Sequence, residues 1–328
     1  MIQLYYLLLY TILFAIICII VFSIILFIIT KPYPEIWRDE KEKYFFNPKT
    51  KSIDAFPSLY EKWSVHLSVV IPAYNEEQRL PVMLDECLEY LEQRSKNGHT
   101  YELIIVSDGS SDKTVDIAHM YALKYDNIRV LNLIKNRGKG GAVRLGILSA
   151  RGSVILFADA DGATKFKDLE KLDDSLKNIL GFDYIDKPNE VSSSHAIVCG
   201  SRAHLGEEET AKRSFFRLFL MHGFHFLVWF WGVRDIRDTQ CGFKLITRES
   251  ARAVFQALHV ERWAFDVEML YIAKILNIPI TEIPVNWTEI EGSKIVPFWS
   301  WLQMGKDIFF IWYKYRIGAW KIKRSKQT

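Results

Sequence analysis

Hydropathy divides the chain at its start. Residues 4–29 are an almost unbroken aliphatic and aromatic run, and no side chain from Met1 to Thr30 is charged. Because ~20 apolar residues suffice to cross a bilayer core, the pattern predicts a transmembrane anchor over 1–30. Residues 31–65 mix proline, lysine and aromatics without periodicity and read as a juxtamembrane linker. Short β-branched runs then begin: LSVVIP (67–72), YELIIVS (101–107), NIRVLNL (127–133), SVILFAD (153–159) and AIVCGS (196–201). Helix-compatible stretches such as EEQRLPVMLDECLEYLEQR, DKTVDIAHMYALKY and KGGAVRLGILSA separate most of them. That order predicts an α/β domain over 66–290, a mostly parallel central sheet with helices on both faces. Ligands of such sheets sit at the carboxyl ends of the strands.

Two further apolar stretches lie downstream. SFFRLFLMHGFHFLVWFWGV (214–233) is interrupted by Arg217, His222, Gly223 and His225, and the sixteen uncharged residues between Arg217 and Arg234 fall short of a span. It reads as a helix partly sunk in the cytosolic leaflet or buried in the core. Near the end, bulky residues at 301, 304, 308 and 312 recur at helical spacing, with Trp and Tyr suited to the headgroup level. Residues 291–328 are therefore expected to form an interfacial amphipathic helix with a basic tail, against the alternative of a core-facing helix. LGFDYIDKPNEVSSS (180–194) reads as a surface insertion.

Charge sets the expected topology. Lys31, Arg38, Lys41 and Lys43 follow the apolar run and no Lys or Arg precedes it, so the positive-inside rule places the bulk of the chain in the cytosol. A cleaved signal peptide is disfavoured by the length of the run and the lack of a small-x-small site. The formal charge of +3 is too small to suggest a nucleic-acid partner, whereas Lys321, Lys323, Arg324 and Lys326 suit an anionic membrane surface. Cys87, Cys199 and Cys241 are scattered singly, without metal-ligand spacing, and read as inert core thiols. Asn286-Trp287-Thr288 fits a glycosylation sequon that a cytosolic domain would never present for modification.

Polar clusters follow four of the runs: PAYNEE, SDGSSDKT, DADG and GSRAH. Singly, each is ordinary turn and cap chemistry; together at one sheet edge they suggest a site. Asp159 and Asp161 flank Ala160, and strand alternation would project both carboxylates the same way. Such a pair can hold a hard divalent cation, Mg²⁺ or Mn²⁺, that keeps positions open for phosphate oxygens.

The order SVVIPAYNEE, VSDGSSDKT, DAD resembles glycosyltransferase family 2 with its GT-A nucleotide-sugar fold, over about residues 67–294. The resemblance implies that Pro72, Tyr74 and Glu76 line a base and ribose pocket and that Asp108 reads the base edge. It implies that Asp159, Ala160 and Asp161 manage ribose, diphosphate and metal. GSRAH, RDTQCGFKLITR, RWAFDVEML and NWTEIEGSKI resemble the branch of that family that passes glucose from UDP-glucose to dolichyl phosphate, with inversion, at the endoplasmic reticulum membrane. The mannosyl-transferring branch, a catalytically dead nucleotide-sugar-binding scaffold and a processive synthase are the alternatives. In the mannosyl branch the residue six before the GSK lysine is typically arginine, and here it is Thr288; a Gln found there in some members two residues after the second Asp is here Ala163.

The second pKa of a phosphate monoester, near ~6, makes the acceptor a ready nucleophile, so cations matter more than a base. Arg202, Arg213 and Lys294 are the candidates by position, with Lys139 a weaker one that could simply be solvated. Asp266 is expected to bind glucose hydroxyls or tune the acceptor, and Asp238 to orient the site. The alternative for each is an ion pair, with Arg262 or Arg237. An oligomer is compatible with the sequence.

Overall fold

The computed structural model describes residues 2–205, 223, 233, 236–290 and 297–322. Helix α1 (Ile2–Ile29) carries the N-terminal apolar run and is long and apolar enough to cross a membrane. The stretch expected to be a linker is ordered against the domain. It contains an antiparallel hairpin, β1 (Tyr44–Asn47) and β2 (Ser52–Ala55), and is tied down by several arginines, Arg248 and Arg38 among them. Arg248, almost wholly buried, donates to the carbonyls of Ser58 and Glu61 on this segment and of Ala150 and Gly152 on the domain. Arg38 reaches the hydroxyl of Ser149 at 2.8 Å.

The main domain is a seven-stranded sheet built from β3 (Val65–Ala73), β4 (Tyr101–Ser107), β5 (Ile128–Asn132), β6 (Gly152–Ala158), β7 (Ile197–Ser201), β8 (Phe243–Thr247) and β9 (Ile280–Pro284). Their order is β5-β4-β3-β6-β8-β7-β9. All neighbours are parallel except β8, which runs antiparallel to both β6 and β7. The expected mostly parallel α/β architecture is therefore present. β8 and β9 are additions to the five runs legible in the sequence.

Alternation explains why both faces are covered. Val69, Ile71, Leu103 and Ile105 pack on one side with Leu80, Leu84, Leu88 and Leu91 of α2 (Leu80–Ser95). Val70, Ile104 and Val106 point to the other, against Ala142, Val143 and Leu145 of α4 (Lys139–Leu148). Each of the Val, Leu and Ile side chains, fully withdrawn from water, contributes about 1.5–3 kcal/mol before entropy is charged against it. Helices α3 (Thr114–Lys124), α5 (Leu169–Leu180), α6 (Pro188–Ser193), α7 (Arg248–Phe255) and α8 (Phe265–Ile275) complete the layers. The presumed surface insertion at 180–194 includes α6, whose Val191 is buried in the first core.

Helix α9 (Pro297–Arg316) closes the described chain. Met304 and Ile308, half of the stripe expected to lie on a membrane, are buried in the protein together with Ile311. The same helix touches α1, where Tyr313 shares a 2.5 Å hydrogen bond with Ser23 and packs beside Phe22. The apolar stretch 214–233 lies outside the described residues except for Gly223 and Val233.

Candidate active site

The strand ends bring the polar clusters to one edge, as the sequence suggested. The two carboxylates, however, are not placed by strand alternation: β6 stops at Ala158, and Asp159 to Asp161 lie in the turn beyond it. Asp159 is positioned from β8, because its backbone N–H donates to the Gly242 carbonyl at 3.0 Å. A Cβ at Gly242 would come within 2.0 Å of the Asp159 carboxylate, so only glycine lets the strand pass so close. Asp161 accepts from the Ala163 backbone at 3.0 Å. Burial and the neighbouring Asp159 charge hold the Asp161 carboxyl above its ordinary pKa.

Lys139, expected to be a weak and solvated candidate, is instead paired with Asp159, its Nζ 2.6 Å from Oδ1 and 2.8 Å from Oδ2. Burial alone would lower its pKa, and the carboxylates of Asp159 and Asp266 more than reverse that. Lys139 opens α4 immediately after Gly138, whose φ of +88° requires glycine. That turn is fixed by Asp108, which accepts from the Arg137 and Gly138 backbone N–H groups at 2.7 and 2.8 Å. Asp108 thus spends a lone pair on each oxygen holding the loop that carries Lys139.

The first two clusters are laced together. Ser111 donates its backbone N–H to the Asn75 side chain at 2.8 Å, and Glu77 donates its own to Asp112 at 3.1 Å. Pro72 lies on β3 against Val106 of β4, and Tyr74 is exposed at the edge. Glu76 is forked by Arg79 at 2.7 and 2.6 Å. Ala160 is buried.

Beyond β7, Arg202 makes a two-pronged pair with Asp238 at 2.7 and 2.9 Å, and its guanidinium lies 5.4 Å over the Trp287 ring. Burial would raise the Asp238 carboxyl, but the Arg202 fork overrides it and holds it at about 2. The Asp159 charge reaches Arg202 as well, so both belong to one electrostatic cluster. Asp266 is buried on α8 and pairs with Lys244 of β8 at 2.7 Å. The ion-pair alternative therefore holds with other partners, Arg202 for Asp238 and Lys244 for Asp266 in place of Arg237 and Arg262, and the Asp266 side chain is buried. Lys244 also donates to the Cys241 carbonyl at 2.6 Å. Burial pushes the Cys199 and Cys241 thiols up to about 12, and Cys87 is buried as well, in keeping with inert core cysteines.

The NWT stretch returns to the same turn. Thr288 donates its backbone N–H to the Ala163 carbonyl at 2.9 Å, Lys165 donates to Asn286 at 3.0 Å, and Thr164 bridges Trp287. Arg213 and Lys294 lie outside the described residues. Gly242, Lys244 and the bracing role of Lys139 were missed in the sequence. The signal was present in CGFK, where a glycine and a lysine flank the start of a strand.

A divalent cation fits the donor set. Asp159 and Asp161 are half-exposed hard oxygen ligands, and an ammonium already rests on one of them. Mg²⁺ characteristically takes one or two carboxylates and completes its shell with water and substrate phosphates. Among the described residues no group of three or more His, Cys, Asp or Glu side chains could hold a metal.

This edge, with its acidic turn on a GT-A sheet, has the form of a nucleotide-sugar transferase, and residues 68–179 match the glycosyl transferase family 2. The chain is 56% identical over 310 residues to the mouse dolichyl-phosphate beta-glucosyltransferase, covering 93% of each. It is 59% identical to the Drosophila melanogaster protein of the same name, covering 89% of this chain and 88% of that one. The chain belongs to the dolichyl-phosphate β-glucosyltransferase family. A solved glucosyl-3-phosphoglycerate synthase from Mycobacterium tuberculosis aligns at 16% identity and TM-score 0.48 over 80% of this chain and 82% of its own, too distant to bear on ligands.

Proposed function

We propose that this protein transfers glucose from UDP-glucose to dolichyl phosphate with inversion, giving dolichyl β-D-glucosyl phosphate for protein N-glycosylation and UDP. It does so on the cytosolic side of the endoplasmic reticulum membrane, to which α1 anchors it as a single span. The names of its relatives support the reaction, and the braced carboxylate turn beside the Arg202–Asp238 pair is the observation that carries it.

Asp159 and Asp161 would hold Mg²⁺ or Mn²⁺, which supplies charge neutralisation for the diphosphate leaving group. Lys139, bonded to Asp159, keeps that carboxylate aimed and adds a cation behind the diphosphate. Asp108, through the Arg137–Gly138 turn, keeps Lys139 in register, and its remaining lone pairs would serve the base in the pocket assigned to Pro72, Tyr74 and Glu76. Ala160 leaves room between the two carboxylates. Asp238 locks the Arg202 fork so that its remaining N–H donors can hold the acceptor phosphate, a task shared with Arg213 and Lys294 by sequence position. One acceptor oxygen attacks the anomeric carbon from the face opposite UDP, the C1–O bond to the diphosphate breaks, and its electron pair leaves with UDP. No protein base is required, because the acceptor is already a dianion at neutral pH. Asp266 acts through Lys244 to fix the floor of the site.

The test is a transfer assay on purified protein with dolichyl phosphate and labelled UDP-glucose or GDP-mannose in parallel. Labelled lipid from UDP-glucose alone is expected. Labelling from GDP-mannose would overturn the donor assignment, and nucleotide binding without transfer from either would make the chain a scaffold.

A further inference from the structure

A second concavity lies apart from the carboxylate turn. It is a cavity of about 860 Å³ at the root of α1, and none of Asp108, Lys139, Asp159, Asp161 or Arg202 lines it. It is lined by Leu26 and Ile29 from the last turn of α1 and by Lys135, Arg137, Arg144, Arg262 and Lys314, with the carboxylates Glu35 and Glu261 among them.

The cations differ in what they are already bound to. Arg137 and Arg144 both pair with Glu261, and Lys31 pairs with Glu35. Lys135 and Arg262 are exposed, and no salt bridge to either is made among the described residues; Lys135 only rests 4.8 Å over Trp37. Lys314 likewise has an aromatic neighbour, Trp320 at 4.5 Å, rather than a bonded carboxylate. Asp307 is near enough to act through space on both Lys314 and Arg262, and Glu268 on Lys314, though neither is bonded to them among the described residues. Burial nonetheless lowers the Lys314 pKa, so the ammonium is under-compensated where it stands.

We infer that this cleft binds the phosphate headgroup of an anionic glycerophospholipid from the membrane that α1 enters. The inference rests on the proposed span of α1. With α1 spanning, Leu26 and Ile29 would lie where its apolar segment ends, and three incompletely paired cations line the same cleft. Aromatic faces behind Lys135 and Lys314 hold those ammonium groups without neutralising them. The site also borders the donor edge: the Asn136–Arg137 stretch lining the cleft runs directly into the Arg137 and Gly138 amides that Asp108 holds. A bound headgroup therefore steadies the turn that carries Lys139.

The full chain in neutral detergent is loaded with labelled dioleoyl phosphatidic acid or phosphatidylcholine and passed through gel filtration. Retention of about one phosphatidic acid per chain, with little phosphatidylcholine, is expected. At roughly fivefold in affinity per surface cation, Lys135→Gln alone weakens retention about fivefold and Lys135→Gln/Arg262→Gln/Lys314→Gln about 100-fold. The exposed-lysine control Lys96→Gln/Lys124→Gln/Lys187→Gln retains lipid as the wild type does. Melting curves confirm that each variant is folded, and the single variant carries the test should the triple one fail.

Equal retention of phosphatidylcholine, equal loss in the control, or no loss in Lys135→Gln would overturn the inference. So would displacement by millimolar inorganic phosphate, which would make this a free-anion site, or by equimolar dolichyl phosphate, which would make it an acceptor site. The readout does not use transfer, so its failure is distinguishable from failure of the proposed reaction.

Discussion

Gly242→Ala is the most informative single change. The added Cβ would lie 2.0 Å from Asp159 Oδ2 and 2.2 Å from its carboxyl carbon, against ~3.3 Å for a close carbon–oxygen approach. The carboxylate must move by about 1 Å, and the Asp159 backbone cannot follow easily because it is bonded to the Gly242 carbonyl at 3.0 Å. Displacement of that size pulls Asp159 from Lys139 and from the cation site, and a 1 Å misplacement at a reacting centre costs about 100-fold in rate, or about 2.7 kcal/mol. Overpacking costs a further ~1–3 kcal/mol of stability. Transfer from UDP-glucose should be assayed well below the measured Tm, with kcat and the donor KM separated. A folded variant with kcat/KM within twofold of wild type would refute the claim that Gly242 positions Asp159.

Three other changes probe the scaffold. Asp238 is held at about 2 against its ordinary 3.8, so its stabilisation is complete above 3.8 and is lost as pH falls from there through about 2. Asp238→Asn should remove ~2 kcal/mol at neutral pH and flatten the stability slope between pH 4 and 2, on an order-of-magnitude reading of the same linkage, as read by denaturant titration. Lys244→Met leaves the buried Asp266 carboxylate without its 2.7 Å partner and should cost about 3–5 kcal/mol, with Tm falling accordingly. Arg248→Ala removes four bonds to main-chain carbonyls; a loss of about 3 kcal/mol and new proteolytic cleavage within 31–65 are expected.

The edge was legible because turn chemistry betrays strand ends: Asp, Gly, Ser and Asn fall where β3, β4, β6 and β7 stop. What stayed hidden depends on contacts between distant segments. Lys139 reads as a surface lysine until β6 ends beside it and presents Asp159. Lys244 interrupts the apolar run of β8, and only the burial of Asp266 on α8 makes an ammonium tolerable there. The segment 31–65 lacks periodicity because scattered contacts hold it: side-chain bonds from Arg38, Arg248 and Arg252, and single apolar anchors, with Leu59 in the core and Ile36 and Phe56 packed against it. On α9 the helical period was legible, but half of its stripe, Met304 and Ile308, is buried in the protein, since helical spacing does not say whether protein or lipid covers a side chain.

The central claim, that Asp159 and Asp161 bind the donor diphosphate through a divalent cation, is tested most directly by calorimetric titration of UDP with and without Mn²⁺. Wild-type protein should bind UDP at least tenfold more tightly with the metal, an order-of-magnitude expectation of ~1.4 kcal/mol, and Asp161→Asn should abolish the difference while leaving Tm nearly unchanged. UDP affinity that is the same with and without metal, or a metal effect that persists in Asp161→Asn, would contradict the account.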